Sequence, residues 1–301
     1  MSLIDDAPDT SARYTWGGDE FLFIEIAEAM SLAANFTSTA MAARLAAEDL
    51  VGIIDICPSN ASLLIRFDPD VIPPQEIEAR MRAIEVEVLR LSHPTRETRV
   101  VEVPVWYDDP YTRKTGARFR SGHQRPEGGD LDFAAEENHL DSAAEFIGRH
   151  YGSLWLVSMV GFVAGLPFMF QIVPQEQQLE VPKYLTPRTD TPALTVGHGG
   201  CFACIYSVRG AGGYQMFGIA AAPIFDPAQS LPDFTQFMVF FRPGDIVKFR
   251  PVDESEYRRI QEQVNDGTYR YRQASVTFDL NRALADPHGY NTEIMEYFDG
   301  V

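Results

Sequence analysis

The chain has 301 residues, which exceeds the usual size of one compact core, so we expect two domains or one large β domain. Apolar residues make up 45% of the sequence and charged residues 23%, an ordinary globular composition that excludes global disorder. The net charge is −18. This balance argues against nucleic acid or anionic membranes as partners, because binding to either requires a basic surface.

No run of the sequence approaches the roughly 18 consecutive apolar residues that span a bilayer. The acidic start, Met1 to Asp6, lacks the basic region of a signal peptide. The three cysteines are too few, and odd in number, for a disulfide framework. We therefore expect a cytoplasmic protein.

The first hundred residues have the pattern of a small α/β unit. Strand formers, helical spacing of apolar residues and a turn at Pro58-Ser59-Asn60 give the order β-α-β-β-α. This order predicts helices packed on an antiparallel sheet, in a domain covering residues 1–98. The predicted elements are a strand at Phe21–Ile26, a helix at Thr37–Leu50 capped by Thr37 or Ser38, strands at Val51–Ile56 and Ser62–Phe67, and a helix from Gln75 to about Leu91.

A polar segment, Asp108–Asp132, follows a predicted strand at Arg99–Val105. It has no apolar period, so we interpret it as an exposed loop or insertion. Its basic run from Arg113 to Arg125 fits docking to an acidic partner, although a solvated loop is the commoner meaning of such a run. A helix is predicted next, at Glu136–His150.

From Ser153 onward, short apolar runs alternate with glycine and proline, which predicts a β-barrel or sandwich. We predict an α+β chain whose β-rich domain covers residues 99–260, with the insertion at about 108–132 and a C-terminal extension at 261–301. The later predicted elements are a strand at Leu154–Phe162, a closing strand at Ile246–Arg250 after the turn Arg242–Asp245, a helix at Glu254–Val264 and a strand within Tyr269–Leu280.

Cys201 and Cys204 have the spacing of half a zinc site or of a redox pair, and His198 precedes them by three residues. No second cysteine pair exists, and ligands spaced along a strand would point to both of its faces. We therefore predict buried, apolar cysteines and no metal.

Two further residues are candidates for a role in catalysis or binding, although each also has a purely structural interpretation. His198 lies between glycines and is either a proton-transfer group or a solvent-exposed turn residue. Arg188 follows a proline in Thr186-Pro187-Arg188 and either binds a carboxylate or carbamate or forms a surface salt bridge.

The stretch Gly210–Gly213 lacks the Lys-Ser/Thr of a phosphate-binding loop, so we predict a tight turn that presents Tyr214 and Gln215. The sequence contains no nucleophile elbow, no His-Glu-x-x-His and no dinucleotide-binding glycine run.

Several segments in fixed order resemble the allophanate hydrolase subunit 1, or KipI-like, family. That family includes one half of the carboxyltransferase domain of urea carboxylase and the B subunit of 5-oxoprolinase. The resemblance covers about residues 15–255. It is carried by Gly18–Leu22, Val103–Val105, Gly161–Phe168, Leu185–Ala193, Val196–Gly200, Cys204–Tyr206, Gly212–Gln215 and Arg242–Asp245.

The resemblance implies a small N-terminal α/β domain and a cyclophilin-like β-barrel whose glycine-lined mouth is completed by a second subunit of homologous fold, similar to allophanate hydrolase subunit 2 or KipA. In the urea carboxylase branch, such a pair works with biotin carboxylase and a biotin carrier protein. It transfers carboxyl from carboxybiotin to a urea-, guanidine- or amide-type nitrogen. This implies that the chain itself binds no cofactor, whereas the complex uses biotin and ATP. The alternatives are a subunit of an ATP-dependent lactam hydrolase of 5-oxoprolinase type and a KipI-like inhibitor of a kinase.

The resemblance also implies a set of site residues, to which we assign roles. We expect Arg188 to hold an anionic group and His198 to move a proton, although the family usually has an aliphatic residue at position 198. The family also usually has Arg-Thr where this chain has Ile219-Ala220. The expected substrate-binding residues are Phe162, Pro167, Thr186, Tyr206, Gly212, Gly213, Tyr214 and Gln215.

Overall fold

A computed structural model describes residues 12–301 of the chain. These residues form two compact units that divide between Pro94 and Thr95.

The first unit is a four-stranded antiparallel sheet, in the order β1-β2-β4-β3, packed against two helices. Alternate residues of the strands, such as Leu22, Ile24 and Ile65, are fully buried against Met41 and Met81 of the helices. The predicted helices on an antiparallel sheet are thereby confirmed. The elements are β1 (Arg13–Gly17), β2 (Phe21–Glu25), α1 (Leu32–Ala47), β3 (Ile53–Ser59), β4 (Ser62–Phe67) and α2 (Pro74–Leu89).

Helix α1 begins five residues before the predicted start. The side chain of Ser31 accepts a hydrogen bond from the backbone N–H of Ala34, at 3.1 Å, and caps the helix. Thr37 and Ser38 lie within the helix, where Ser38 donates to the carbonyl of Ser62 in β4. The prediction that one of these two residues caps the helix was therefore wrong, because the helix already includes both of them.

The second unit contains a closed β-barrel. Seven strands close the ring in the order β12-β9-β10-β7-β6-β13-β5, because β5 also pairs with β12. The pair β13–β5 is parallel, and the other pairs of the ring are antiparallel. Strand β14 extends the sheet along the first half of β5. The strands are β5 (Thr95–Tyr107), β6 (Leu154–Val160), β7 (Pro167–Gln171), β8 (Arg188–Thr191), β9 (Thr195–Gly199), β10 (Phe202–Ile205), β11 (Gly210–Gly212), β12 (Gln215–Ala220), β13 (Ile246–Pro251) and β14 (Gln273–Asp279).

Large side chains fill the barrel, among them Trp155, Phe217 and Phe249, each at most 1% exposed. Two helices of the same unit pack against this core through Phe133 and Phe146. The predicted α+β fold with a β-barrel is therefore confirmed. The helices of this unit are α3 (Pro110–Arg118), α4 (Asp130–Glu137), α5 (Ala143–Tyr151), α6 (Glu254–Asn265), α7 (Leu280–Ala285) and α8 (Pro287–Asp299).

The polar segment 108–132 is not the predicted exposed loop. It contains helix α3, which Asp109 caps by accepting from the backbone N–H of Tyr111 and Thr112, and it runs into α4. His123 and Asp130 are buried. The segment is ordered through hydrogen bonds between polar side chains rather than through an apolar stripe, so the sequence shows no helical period.

The single helix predicted at Glu136–His150 was wrong, because the structure has two helices there. Helix α4 ends at Glu137, and α5 begins at Ala143 after His139 adopts a φ of +55°. Ser142 caps α5 by accepting from the backbone N–H of Glu145. The left-handed residue and the new cap break one apolar pattern into two helices.

The predicted closing strand and the helix after it are confirmed as β13 and α6. The predicted late strand is limited to β14, and two helices that were not predicted, α7 and α8, follow it. Among residues 12–301, no helix combines the length and apolar character needed to cross a membrane.

Candidate functional site

Strand β9 carries the predicted site residue His198 and presents alternate residues on two different faces. Val196 and His198 point into the barrel, where Val196 is part of the main core. Gly197 and Gly199 lie on the opposite face, because successive residues of a strand alternate. Adjacent residues in Val196–Gly200 therefore lie in two different environments, the barrel interior and the outer face of the sheet.

His198 is fully buried in the barrel interior. Its ring lies 5.6 Å from that of Trp155 and 6.4 Å from that of His150, measured between centroids. Its Nε2 lies 2.9 Å from the carbonyl oxygen of Leu179. Burial lowers the pKa of His198 to about 4, so the ring is neutral at pH 7 and Nε2–H donates to that carbonyl. The alternative of a solvent-exposed turn residue is wrong.

The opposite face of the sheet is lined by glycine and covered by tyrosine. A Cβ at Gly199 would collide with the ring of Tyr214, and one at Gly212 would collide with the ring and hydroxyl of Tyr206. Glycine is therefore required for the rings to lie this close to the backbone. The buried side chains of this outer-face cluster are Leu166, Cys204, Tyr206 and Tyr214, with Val163, Phe168 and Phe202 packed against them.

Arg188 is next to this cluster and is only 1% exposed. It lies in β8 opposite Gly212 of β11. Its guanidinium carbon lies 4.5 Å from the centroid of the Tyr184 ring, and its Nε donates to the hydroxyl of Thr191 at 3.2 Å. Within residues 12–301, neither Nη1 nor Nη2 forms a hydrogen bond of normal length and angle, although the Tyr206 hydroxyl lies close enough to interact with the guanidinium. The alternative of a surface salt bridge is wrong, since the side chain is buried and no carboxylate of the described chain pairs with it.

Tyr206 and Cys204 show how the buried guanidinium affects its surroundings. Burial raises the pKa of both Tyr206 and Cys204, and the positive charge of Arg188 opposes this increase. Burial also raises the pKa of Tyr214. These groups are neutral at pH 7, so Arg188 has no counter-ion among them. A buried cation with two amino groups that lack a regular hydrogen bond favours an anionic or carbonyl ligand.

The predicted tight turn at Gly210–Gly213 is wrong. Gly210–Gly212 forms strand β11, which pairs with β8 through a bulge. Extended backbone fits here because the Tyr206 ring occupies the space beside Gly212. This pairing brings Arg188, Gly212, Gly213, Tyr206 and Tyr214 together.

The other predicted site residues lie in different surroundings. Thr186 is exposed, and its backbone N–H donates to the carbonyl of Gly122. Pro167 is buried in β7 opposite Val160. Phe162 is 72% exposed in the β6–β7 turn, with a φ of +70°.

Gln215 is fully buried in a hydrogen-bond network with His123. The backbone N–H of Arg125 donates to Nδ1 of His123, so its Nε2 carries the proton and donates to Oε1 of Gln215, at 2.9 Å. The amide nitrogen of Gln215 then donates to the carbonyl of Pro182, at 2.9 Å. These bonds hold the segment before β8 and the start of β12 together. Gln215 thus acts as a structural residue in this network.

The buried carboxylate of Asp130 was not among the predicted site residues. It accepts from the hydroxyl of Tyr184 at 2.8 Å, from Nη2 of Arg120 at 3.0 Å and from the backbone N–H of Met216 at 2.9 Å. Because Tyr184 also stacks on Arg188, this carboxylate fixes the ring beneath the guanidinium. The pair Gly128-Gly129 directly before an aspartate that opens a helix was the one available signal.

Cys201, Cys204 and His198 do not converge. His198 points into the barrel, whereas Cys204 belongs to the outer-face cluster. Among residues 12–301, no group of three or more potential ligands has the geometry of a metal site.

The family profile described as "Carboxyltransferase domain, subdomain C and D" matches residues 12–235. The chain belongs to this family. The match confirms the resemblance and identifies the chain as a component of an enzyme, homologous to the carboxyltransferase region of urea carboxylases and to the B subunit of 5-oxoprolinase.

The relatives differ in the share of their length that the chain matches. The B subunit of 5-oxoprolinase from Bacillus subtilis is 28% identical over 82% of this chain and 96% of that protein. Urea amidolyase of Saccharomyces cerevisiae is 25% identical over 90% of this chain but only 15% of its own length. The match to the crystal structure of Kluyveromyces lactis urea carboxylase covers 96% of this chain and 26% of the urea carboxylase chain. Its TM-score is 0.81 at 24% sequence identity, which establishes the shared fold.

Proposed function

We propose that this chain is one subunit of a two-subunit carboxyltransferase resembling that of urea carboxylase. The complex would transfer a carboxyl group from carboxybiotin, held by a partner carrier protein, to a urea-, guanidine- or amide-type nitrogen. The observation that carries the proposal is the buried guanidinium of Arg188, which has two nitrogens without a regular hydrogen bond within residues 12–301 and lies beside a glycine-lined face in a chain of this family.

The terminal nitrogens of Arg188 fit the group to be transferred. A guanidinium presents two parallel N–H donors at the spacing of the two oxygens of a carboxylate. The hydrogen bond to Thr191 and the stack on Tyr184 fix the direction of this fork before any ligand arrives. Such preorganised donors stabilise negative charge that develops on oxygen during transfer. Carboxybiotin supplies the activated carboxyl group.

Tyr206 and Tyr214 would orient the acceptor. Burial raises the pKa of each hydroxyl, so both remain protonated at pH 7 and can donate to a carbonyl oxygen. His198 lies on the other face of β9, so the proposed mechanism does not use it. The group that removes the proton from the attacking nitrogen would come from the second subunit, similar in fold to allophanate hydrolase subunit 2.

A second subunit also suits the exposed apolar residues of this unit. Phe162 and Leu185 are 72% and 74% exposed, and Leu185 directly follows the Tyr184 that supports Arg188. Large exposed apolar side chains of this kind are typical of interaction surfaces. Covering them would exclude water from the outer face and strengthen the interactions of Arg188.

A second candidate is a subunit of an ATP-dependent lactam hydrolase of 5-oxoprolinase type. The supporting observation is that the chain matches 96% of the length of the 5-oxoprolinase component from Bacillus subtilis, against 15% of urea amidolyase. In that reaction, Arg188 would bind a substrate carboxylate or the oxyanion formed as the lactam opens.

Purification of the chain from its native host, with its bound proteins, separates the candidates. We expect a second subunit and a biotinylated protein to copurify, and ATP hydrolysis to require bicarbonate together with urea, guanidine or an amide. Avidin should abolish this activity. ATP-dependent opening of 5-oxoproline that needs no bicarbonate and resists avidin would support the second candidate instead. Recovery of a histidine kinase with no second subunit would favour a KipI-like inhibitor.

A further inference from the structure

Helix α3 exposes two basic side chains that the proposed function does not use. Lys114 and Arg118 lie four residues apart, so both side chains project from the same side of the helix. Both residues are exposed. Arg113 and Ala117 line a cavity on a neighbouring side of α3. The side of the helix that carries Lys114 and Arg118 is therefore part of the surface and not of that cavity.

A third basic side chain joins this surface through a shared carboxylate. Nε and Nη2 of Arg209 donate to the two carboxylate oxygens of Asp190, at 2.6 Å and 2.8 Å, and Nη2 of Arg118 donates to the same carboxylate. Hydrogen bonds from Arg209 and Arg118 hold the pKa of Asp190 well below its usual value, so this carboxylate is ionised at pH 7. One negative charge thus lies between two positive charges.

The side chains of Lys114, Arg118 and Arg209 form a surface that we call the basic rim. Within residues 12–301, Lys114 forms no ion pair, and Asp190 is the only carboxylate that pairs with the two arginines. The basic rim therefore keeps an excess of positive charge after Asp190 is counted, in a chain whose net charge is −18. The arginine side chains are 53% and 72% exposed, so a partner can reach them.

The basic rim adjoins the two strands that hold Arg188. Asp190 lies two residues after Arg188 in β8, a separation of about 7 Å along a strand. Arg209 directly precedes β11, in which Gly212 pairs with Arg188. A partner that docks on the basic rim would therefore be held beside the outer face.

The arrangement of these charges favours an acidic protein surface as the partner. Small anions bind in concave sites whose donors converge. The basic rim instead consists of exposed side chains from α3 and from the segment before β11, an arrangement typical of the charged periphery of protein–protein interfaces. Because the net charge of −18 repels an acidic protein as a whole, a local excess of positive charge would also set the orientation in which that protein approaches.

We propose that the basic rim docks an acidic surface of the carrier protein that brings carboxybiotin to Arg188. This inference rests on the proposed function, in which the carrier must reach the outer face and leave again in every cycle. Exposed charges raise the rate of association but contribute little to affinity, which suits a partner that dissociates after each transfer.

Steady-state kinetics of the reconstituted complex, with the carrier protein as the varied substrate, test this proposal. Lys114→Glu reverses one charge of the basic rim, and Arg209→Gln removes another while Arg118 still pairs with Asp190. We expect the double variant to lose about tenfold in kcat/KM for the carrier, almost entirely through KM. The wild-type kcat/KM should fall as salt rises from about 50 to about 500 mM, since salt screens exposed charges, and that of the double variant should fall much less.

The matched control combines Arg149→Glu in α5 with Arg282→Gln in α7. Both arginines are about half exposed and lie outside the basic rim, and the two changes alter the net charge by the same amount. This control should keep its kcat/KM for the carrier within about twofold. Equal losses in the two double variants, a loss confined to kcat, or an unchanged kcat/KM in the rim variant would overturn the proposal. A wild-type complex that transfers no carboxyl group from the carrier would overturn the proposed function as well.

Discussion

The interior of the barrel at His198 and the outer face at Arg188 both contain buried basic side chains, yet their chemistry differs. In the interior, the rings of His198 and His150 are packed against Trp155 and Phe249, and burial lowers the pKa of both histidines. A histidine avoids the free-energy penalty of burial by losing its proton. An arginine stays charged, so Arg188 requires either a counter-ion or a ligand.

This contrast supports our proposal that Arg188, and not His198, is the buried group available for chemistry. His198 donates to the carbonyl of Leu179 and lies among aromatic rings, so it contributes to packing. Arg188 is held by Thr191 and Tyr184, but two of its nitrogens form no regular hydrogen bond among residues 12–301 and lie beside a glycine-lined surface. The two residues that were predicted to share one site are therefore divided by the sheet itself.

The largest expected effect on stability concerns the carboxylate that supports the outer face. Asp130→Ala leaves the guanidinium of Arg120, whose side chain is 16% exposed, without its charge partner and removes the acceptor for Tyr184. We expect a loss of about 3–5 kcal/mol in the free energy of unfolding, as for other buried ion pairs that lose one member. Urea denaturation measures this loss.

Asp132→Ala on the same helix is the matched control. Asp132 is exposed and, within the part of the chain that the structure describes, accepts only from the backbone N–H of Gly129. The expected loss is about 1 kcal/mol, typical of a helix-capping interaction. Equal losses in the two variants would show that the Asp130 network does not support the outer face.

A smaller effect is expected from the glycines of the outer face. Gly212→Ala drives a methyl group into the ring of Tyr206, and we expect a loss of about 1–3 kcal/mol from overpacking. At Gly210→Ala, two residues earlier, the new carbon has no atom of residues 12–301 within 4 Å apart from its own residue and its chain neighbours, and stability should change by less than about 0.5 kcal/mol. Chemical denaturation of both variants makes the comparison, and equal stability would contradict the close approach of Tyr206.

The next expected change is a dependence on pH that arises in the barrel interior. The pKa of His198 is about 4 in the folded protein, below its ordinary value of 6.5. Between these values the unfolded chain binds a proton that the folded chain does not, so stability falls as the pH decreases from 6.5 toward 4. Each such group contributes about 1.4 kcal/mol per pH unit. His198→Leu should reduce this slope, and an unchanged slope would show that His198 does not titrate in this way.

Much of the fold was predictable because its signals are local. The strand formers of β2 and β4, the spacing of Ile77, Met81 and Ile84 in α2, and the turn before β13 all depend on neighbouring residues. Helix α4 was not predictable, because Asp130 is positioned by partners distant in sequence, Tyr184 and Met216, whereas the Asp109-Pro110 start of α3 is a local signal that went unrecognised.

The site was predictable only in part for the same reason. Gly212, Tyr206 and Tyr214 were identified together, and they do meet. The side to which His198 points depends on the register of β9 against β10 and β12, which no local pattern fixes. The roles of Asp130 and Gln215 depend on hydrogen bonds to residues more than 30 positions away.

The most direct test compares Arg188→Ala with His198→Leu in the reconstituted complex, with assembly checked by size-exclusion chromatography. Arg188→Ala should assemble normally and lose about a hundredfold or more in turnover, since it removes preorganised donors from developing negative charge. His198→Leu should keep its turnover within about threefold, as expected of a residue whose packing and hydrogen bond to Leu179 stabilise the interior without touching the substrate. Full turnover by Arg188→Ala, or an equal loss in His198→Leu, would contradict the assignment of the chemistry to the outer face.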